Sequence, residues 1–126
     1  MSITPQLVIG GGRAAEAVEF YKALFGATED RRVLAQDGKR LMHIELRFAG
    51  GLIHANDDFG GHESAPAMVA LHVGLDNAAA VDAIAAKAKA MGAAMIQEPQ
   101  DMFWGDRFAM FRDPFGHRWQ IGAPKG

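Results

Sequence analysis

Cysteine is missing from all 126 residues, so no disulfide scaffold can hold this chain and a reducing compartment suits it. An excess of one charge sign is missing too. Thirteen Lys and Arg face fifteen Asp and Glu, a net charge of −2, and the signs are interspersed. Without a basic stripe, nucleic acid is not an expected partner. No apolar run approaches the roughly 20 residues of a membrane span, and Met1-Ser2-Ile3-Thr4-Pro5 lacks the basic and apolar regions of a secretion signal. The expectation is a cytoplasmic single domain with no membrane partner, long enough to bury about two-thirds of its unfolded surface. Nucleophile elbows, Walker loops and zinc-protease motifs are also lacking. Gly10-Gly11-Gly12 sits between an expected strand and an expected helix, but it has neither G-x-G-x-x-G spacing nor a placed acid for a ribose.

What is present is a pattern that occurs twice. Leu7–Ile9 is a short apolar run bounded by Pro5 and the glycines, a strand. Arg13–Phe25 is rich in Ala and Glu, with Val18, Tyr21 and Phe25 at helical spacing, and Gly26 supplies a stop. Arg31–Gln36 and Lys39–Phe48 flank Asp37-Gly38, which favours a two-residue hairpin turn. In the second arm His43, Glu45 and Arg47 share one face, and Met42, Ile44, Leu46 and Phe48 the other. Gly50-Gly51 turns the chain into a strand over Leu52–Ala55.

The polar, aperiodic stretch Asp57–Pro66 reads as a linker, and after it the order returns. Met68–Leu75 is an apolar strand, and Asp76 or Asn77 can cap a helix striped by Val81, Ile84, Ala88 and Met91. Phe25-Gly26-Ala27 has its counterpart in Met91-Gly92-Ala93. Ala94–Gln97 is a short strand that Pro99 is expected to stop. The closing hairpin pairs Arg107–Arg112 with His117–Ile121 across the type I turn signal Asp113-Pro114-Phe115-Gly116. Upstream of it, Phe103-Trp104-Gly105-Asp106-Arg107 sets aromatic surface beside an acid and a base in a loop.

Each half therefore reads strand, helix, strand, strand, strand. The expected architecture is α+β: two tandem βαβββ modules over about 3–56 and 67–122, joined by the linker 57–66. A small sheet with one helix covers only one of its faces. Two such sheets side by side can curl their open faces into a half-barrel cleft, a natural small-molecule site.

The stretches A-V-E-F-Y-K-A-L-F-G-A (Ala17–Ala27), A-L-H-V (Ala70–Val73), F-W-G-D-R (Phe103–Arg107) and D-P-F-G-H-R-W (Asp113–Trp119) carry a resemblance. The chain resembles the vicinal-oxygen-chelate superfamily of glyoxalases, bleomycin and fosfomycin resistance proteins and extradiol dioxygenases, and within it the PhnB-like branch. The resemblance covers essentially the whole chain. It implies paired βαβββ modules, a homodimer, and, in metal-using members, one His, Glu or Gln ligand on each of four inner strands. Carried over, the first ligand falls near Thr4 or Gln6 and the second on Glu45. The third falls on Met68, a poor ligand for a hard ion, and the fourth on Gln120.

That half-broken set makes a metal-free cleft the first expectation. Phe59, Phe103 and Trp104 would stack a planar or peptide-like molecule there, with Asp106 and Arg107 as polar contacts. The alternative is a metal-dependent lyase, isomerase or dioxygenase holding Zn, Ni, Mn or Fe. Glu45 would be its ligand or base, His72 and Gln120 further ligands, and His43 a possible fourth. A third reading is a dimeric scaffold whose cleft is filled by side chains. His54 and His62 read as lone and ordinary, His117 as part of the turn, and Trp119 as a hydrophobic plug.

Overall fold

The computed structural model describes residues 1–48, 50–59 and 69–125. The chain divides into two compact units, Met1–Pro66 and Ala67–Gly126. In the first, β1 (Gln6–Ile9) leads into α1 (Ala14–Phe25), followed by β2 (Thr28–Leu34), β3 (Leu41–Phe48) and β4 (Gly51–Asp57). In the second, β5 (Ala70–Gly74) leads into α2 (Ala78–Ala90), followed by β6 (Ala94–Asp101), β7 (Asp106–Arg112) and β8 (Arg118–Pro124). The sheet orders are β1-β4-β3-β2 and β5-β8-β7-β6. In both, the first strand runs parallel to the last and the other pairs are antiparallel. The tandem βαβββ expectation is thus met element for element.

Helix α1 packs Ala17, Val18, Tyr21 and Leu24 into its unit, against a sheet face that buries Ile9, Ile44, Leu46, Ile53 and Ala55. Arg13 at the N-cap makes no side-chain capping hydrogen bond. Asp57, at the far end of β4 and fully buried, caps the helix from 43 residues away: Oδ1 accepts the Ala14 N–H at 2.9 Å and Oδ2 accepts the Leu41 N–H at 2.6 Å. Gly26 ends the helix at φ 71°, its N–H donating to the Lys22 carbonyl. In the second unit Asn77 is the cap, accepting the Ala80 N–H at 2.9 Å. Val81, Ala85 and Ala88 form the buried stripe, turned one residue from the expected one because Ile84 is only half-buried.

Three local expectations are corrected. The β2–β3 connection spans residues 35–40 rather than two. The Asp37 carboxylate takes the N–H groups of Lys39 and Arg40 and the Arg40 guanidinium, and this holds a wider loop closed. Pro99 does not stop β6, which runs on to Asp101. The strand is an edge, and its register shifts between Gln97 and Gln100, so no ladder hydrogen bond is demanded of the proline. Strand β4 extends through Asp57, the first residue of the expected linker, because its carboxylate is needed inside. Most of the remaining linker, with His62 and Met68, lies outside the described residues.

Trp119 is fully buried, as expected of a plug, and its indole N–H donates to Asp113 Oδ2 at 2.8 Å. Asp113 Oδ1 accepts the Phe115 and His117 N–H groups. Asp113 therefore ties the closing turn together, through the backbone of His117.

Candidate functional site

The open face of the first sheet carries its polar residues. Alternation leaves His43 and Glu45 on the side of β3 away from α1, and Ile44 and Leu46 against the helix. The β3–β4 hairpin pairs Phe48 with Gly51, and Gly50 takes φ 74° to make the turn. Counting back along that ladder sets Glu45 directly opposite His54. His43, Glu45 and His54 each offer a ligating atom, all within 4.8 Å of one another. His43 Nε2 hydrogen-bonds Glu45 Oε2 at 3.0 Å, and the two imidazoles meet edge to face with centroids 4.7 Å apart. All three side chains are half-buried.

Charge on this face is set by few groups. Asp30 and Arg47 pair with each other at 2.9 Å. Arg31 Nη1 lies 3.5 Å from Glu45 Oε2. The hydrogen bond from His43 holds the Glu45 carboxyl below its ordinary range; the positive charge of Arg31 adds to that, and burial opposes it. A carboxylate kept ionised beside two imidazoles is a donor set that suits zinc, nickel or iron(II). In a tetrahedral site with bonds of about 2.0–2.1 Å the donors would stand roughly 3.4 Å apart, so the side chains have to close by no more than about 1.5 Å.

Glu45 and His43 are expected from the sequence; His54, which reads there as lone and ordinary, joins them in the structure. The signal was available, because the tight Gly50-Gly51 turn sets the register that brings His54 across from Glu45. The internal repeat adds a second mark. Gln6 on β1 stands beside His54 on β4, and His72 on β5 stands beside Gln120 on β8. The position corresponding to Gln120 in the first unit is thus His54. Gln6 itself hydrogen-bonds Asn56 on the same face.

The other expected site residues divide between the units. His72 and Gln120 are neighbours in the second, with Nδ1 and Oε1 3.4 Å apart. A side chain at Gly122 would come within 3.2 Å of the His72 ring, so glycine there makes room for the imidazole. A row of rings leads away from it: His72 to Phe108 at 6.4 Å, Phe108 to Trp104 at 5.8 Å and Trp104 to Phe103 at 5.1 Å. Phe103 is almost fully exposed and Trp104 half so, on the turn between β6 and β7. Asp106 alternates onto the same face as Phe108. Arg107 is turned to the helix side, where it pairs with Asp82 at 2.9 Å and also with Asp101 at 3.1 Å. Phe59, in the first unit, lies under the Arg40 guanidinium, 4.5 Å from its ring centre.

Residues 4–121 match the sequence profile of the Glyoxalase/Bleomycin resistance protein/Dioxygenase superfamily. The chain belongs to that superfamily. Among its relatives, the uncharacterized proteins Rv0887c of Mycobacterium tuberculosis and Mb0911c of Mycobacterium bovis are 36% identical to it over 132 residues. The alignments cover 98% of this chain and 74% and 83% of those proteins. Its fold matches that of a PhnB protein from Bacillus cereus with a TM-score of 0.83 at 20% identity, over 98% of this chain and 99% of that one. A gene product of Arabidopsis thaliana matches with a TM-score of 0.74 at 26% identity, over 96% of this chain and 97% of that one. The fosfomycin resistance protein FosX of Listeria monocytogenes matches with a TM-score of 0.74 at 17% identity, over 99% and 93%. The PhnB-like resemblance of the sequence is therefore matched in the fold. In this glyoxalase-superfamily chain no helix among the described residues is long and apolar enough to cross a membrane.

Proposed function

We propose that this superfamily member binds a divalent metal on the open face of its first sheet and presents it to a small organic molecule carrying oxygen donors. The observation that supports this best is the convergence of His43, Glu45 and His54, two imidazoles and one carboxylate with all donor atoms within 4.8 Å. Such a set leaves coordination positions open for water or ligand. A bound ion would supply Lewis acidity, polarising an oxygen of the guest. The residues have separate parts: Glu45 contributes the charge, and the imidazoles of His43 and His54 contribute neutral donors from β3 and β4. This reading differs from the first expectation of a metal-free cleft, because His54 supplies the donor that sequence reasoning lacked. His72 and Gln120 remain candidate ligands at the matching place in the second unit. The fold does not choose among isomerase, lyase and dioxygenase chemistry. Self-association as a homodimer and a cytoplasmic location belong to the same reading.

Metal analysis of untagged protein after incubation with Zn, Ni, Mn or Fe(II) tests it. About one equivalent is expected for at least one of these ions, and its loss in both Glu45→Gln and His54→Ala. Uptake below about a tenth of an equivalent for every ion would refute it.

A second reading is favoured by a different observation. The exposed Phe103 and Trp104 rings are oriented edge to face on a turn and run into Phe108 and His72. They suit stacking of a planar guest with no metal. Titration of planar aromatic compounds against tryptophan fluorescence tests this. Trp119 is fully buried, so quenching would report Trp104.

A further inference from the structure

Arg31 is the one non-glycine residue among those described that takes a left-handed backbone, at φ 49°. Such a conformation is strained for an arginine and persists only when its surroundings impose it. It sits where the β2–β3 register shifts, between the Asp30–Glu45 and Val33–His43 pairs. Regular alternation would send Arg31 to the helix side of the sheet, with Glu29. The bulge reverses this. Arg32 takes the helix side and pairs with Glu29 at 2.9 Å, while the Arg31 guanidinium reaches the open face, 3.5 Å from Glu45. Re-aiming one side chain is what a bulge beside a site does. Arg31 remains 72% exposed and, among the described residues, holds Glu45 by one long contact, which leaves most of its N–H donors to meet a ligand.

We propose that Arg31 is an anion clamp: it binds the carboxylate or phosphonate group of a small chelating guest whose oxygens also reach an ion held by His43, Glu45 and His54. The proposal rests on the metal reading given above. Charge argues for it. Glu45 cancels one unit of a divalent ion's charge and Arg31 restores it, so the loaded face keeps an excess of positive charge. A neutral chelator leaves that excess in place, whereas a dianion removes it. The planar fork of the guanidinium matches a carboxylate or phosphonate in two parallel hydrogen bonds, which an ammonium does not do. The guest class is therefore a small acid with a second oxygen close to the acidic group.

The test uses the full chain loaded with Co(II), and oxalate as the anionic chelator, read by calorimetry and by the visible spectrum of the ion. Acetohydroxamic acid, which chelates with less charge, is the comparison. Arg31→Gly removes the clamp and also suits the left-handed backbone, so the variant is expected to melt no lower than the parent and to retain one equivalent of cobalt. Its oxalate affinity is expected to fall about tenfold to a hundredfold. The hydroxamate affinity is expected to change less than about threefold, and Arg31→Lys to regain only part of the oxalate binding. Cobalt bound one to one with equal oxalate affinity in parent and variant would overturn the clamp while leaving the metal reading intact. A parent chain that takes up no cobalt would overturn both.

Discussion

The Asp57 carboxylate and the Ala14 amide, 43 residues apart, meet at 2.9 Å and join the end of β4 to the first turn of α1. The second carboxylate oxygen takes the Leu41 N–H, so one buried side chain fixes a helix start, a strand start and a strand end. Asp57→Asn would present an NH2 group to one of these two N–H donors and leave that donor unpaired in the interior. A loss of about 2–4 kcal/mol is expected. It would appear as a lower urea midpoint at unchanged slope. A loss under about 0.5 kcal/mol would mean that the displaced amide finds another partner.

This contact also marks where the sequence is legible and where it is not. Helical spacing in Val18, Tyr21 and Phe25 and the stops at Gly26 and Gly92 are local signals, and both helices follow from them. Alternation in His43-Ile44-Glu45-Leu46 assigns faces correctly for the same reason. The cap of α1 is not local, and no reading of Arg13 finds it. Pro99 reads as a strand end in the sequence because the edge position that tolerates it depends on the pairing of β6 with β7. His54 is not legible in the sequence on its own because its meaning lies in register: alone it is a strand histidine, and only the pairing of β3 with β4 sets it against Glu45. Arg31 is subtler still. Its re-aiming comes from a bulge, and nothing in Asp30-Arg31-Arg32-Val33 announces one.

Trp119 and Asp113 give a second test of the interior. The indole N–H donates to Asp113 Oδ2 at 2.8 Å. Trp119→Phe keeps an aromatic plug but removes that donor and part of the volume. A destabilisation of about 2–3 kcal/mol is expected from the lost buried hydrogen bond together with the small void. Asp113→Ala, which frees the closing turn as well, is expected to cost more. Chemical denaturation of the two variants side by side checks the order; equal losses would show that the turn amides contribute nothing.

Acid stability is expected to depend on Glu29. It accepts from Arg32 and from Lys22, and these two, in that order, pull its carboxyl from the ordinary 4.5 down to about 2, against a smaller opposing effect of burial. The folded value lies below the unfolded one, so the contribution is complete above about pH 4.5 and is lost as pH falls toward 2. With the partners one-third exposed, screening leaves about 1 kcal/mol. Glu29→Gln should therefore lower stability by about that amount at pH 7 and by almost nothing at pH 2. Unfolding curves across that range measure the difference, and a parallel offset at all pH values would contradict the assignment.

The metal reading makes its sharpest demand on thermal stability. An ion that binds only the folded chain stabilises it by mass action, by about 2.7 kcal/mol at a free concentration one hundred times Kd. For a chain of this size that is roughly 8–10 °C in Tm. The gain should vanish in His54→Ala, since the remaining pair is left without the donor from β4. It should shrink in His43→Ala, which removes one of the two imidazole ligands. The variants themselves, without metal, should melt within a few degrees of the parent, because all three side chains lie on the open face of the sheet and none is part of the buried core. A parent chain whose melting is indifferent to zinc, nickel, manganese and iron(II) would leave the three side chains as an ordinary hydrogen-bonded cluster. The Phe103–Trp104 turn would then be the remaining candidate for recognising a guest.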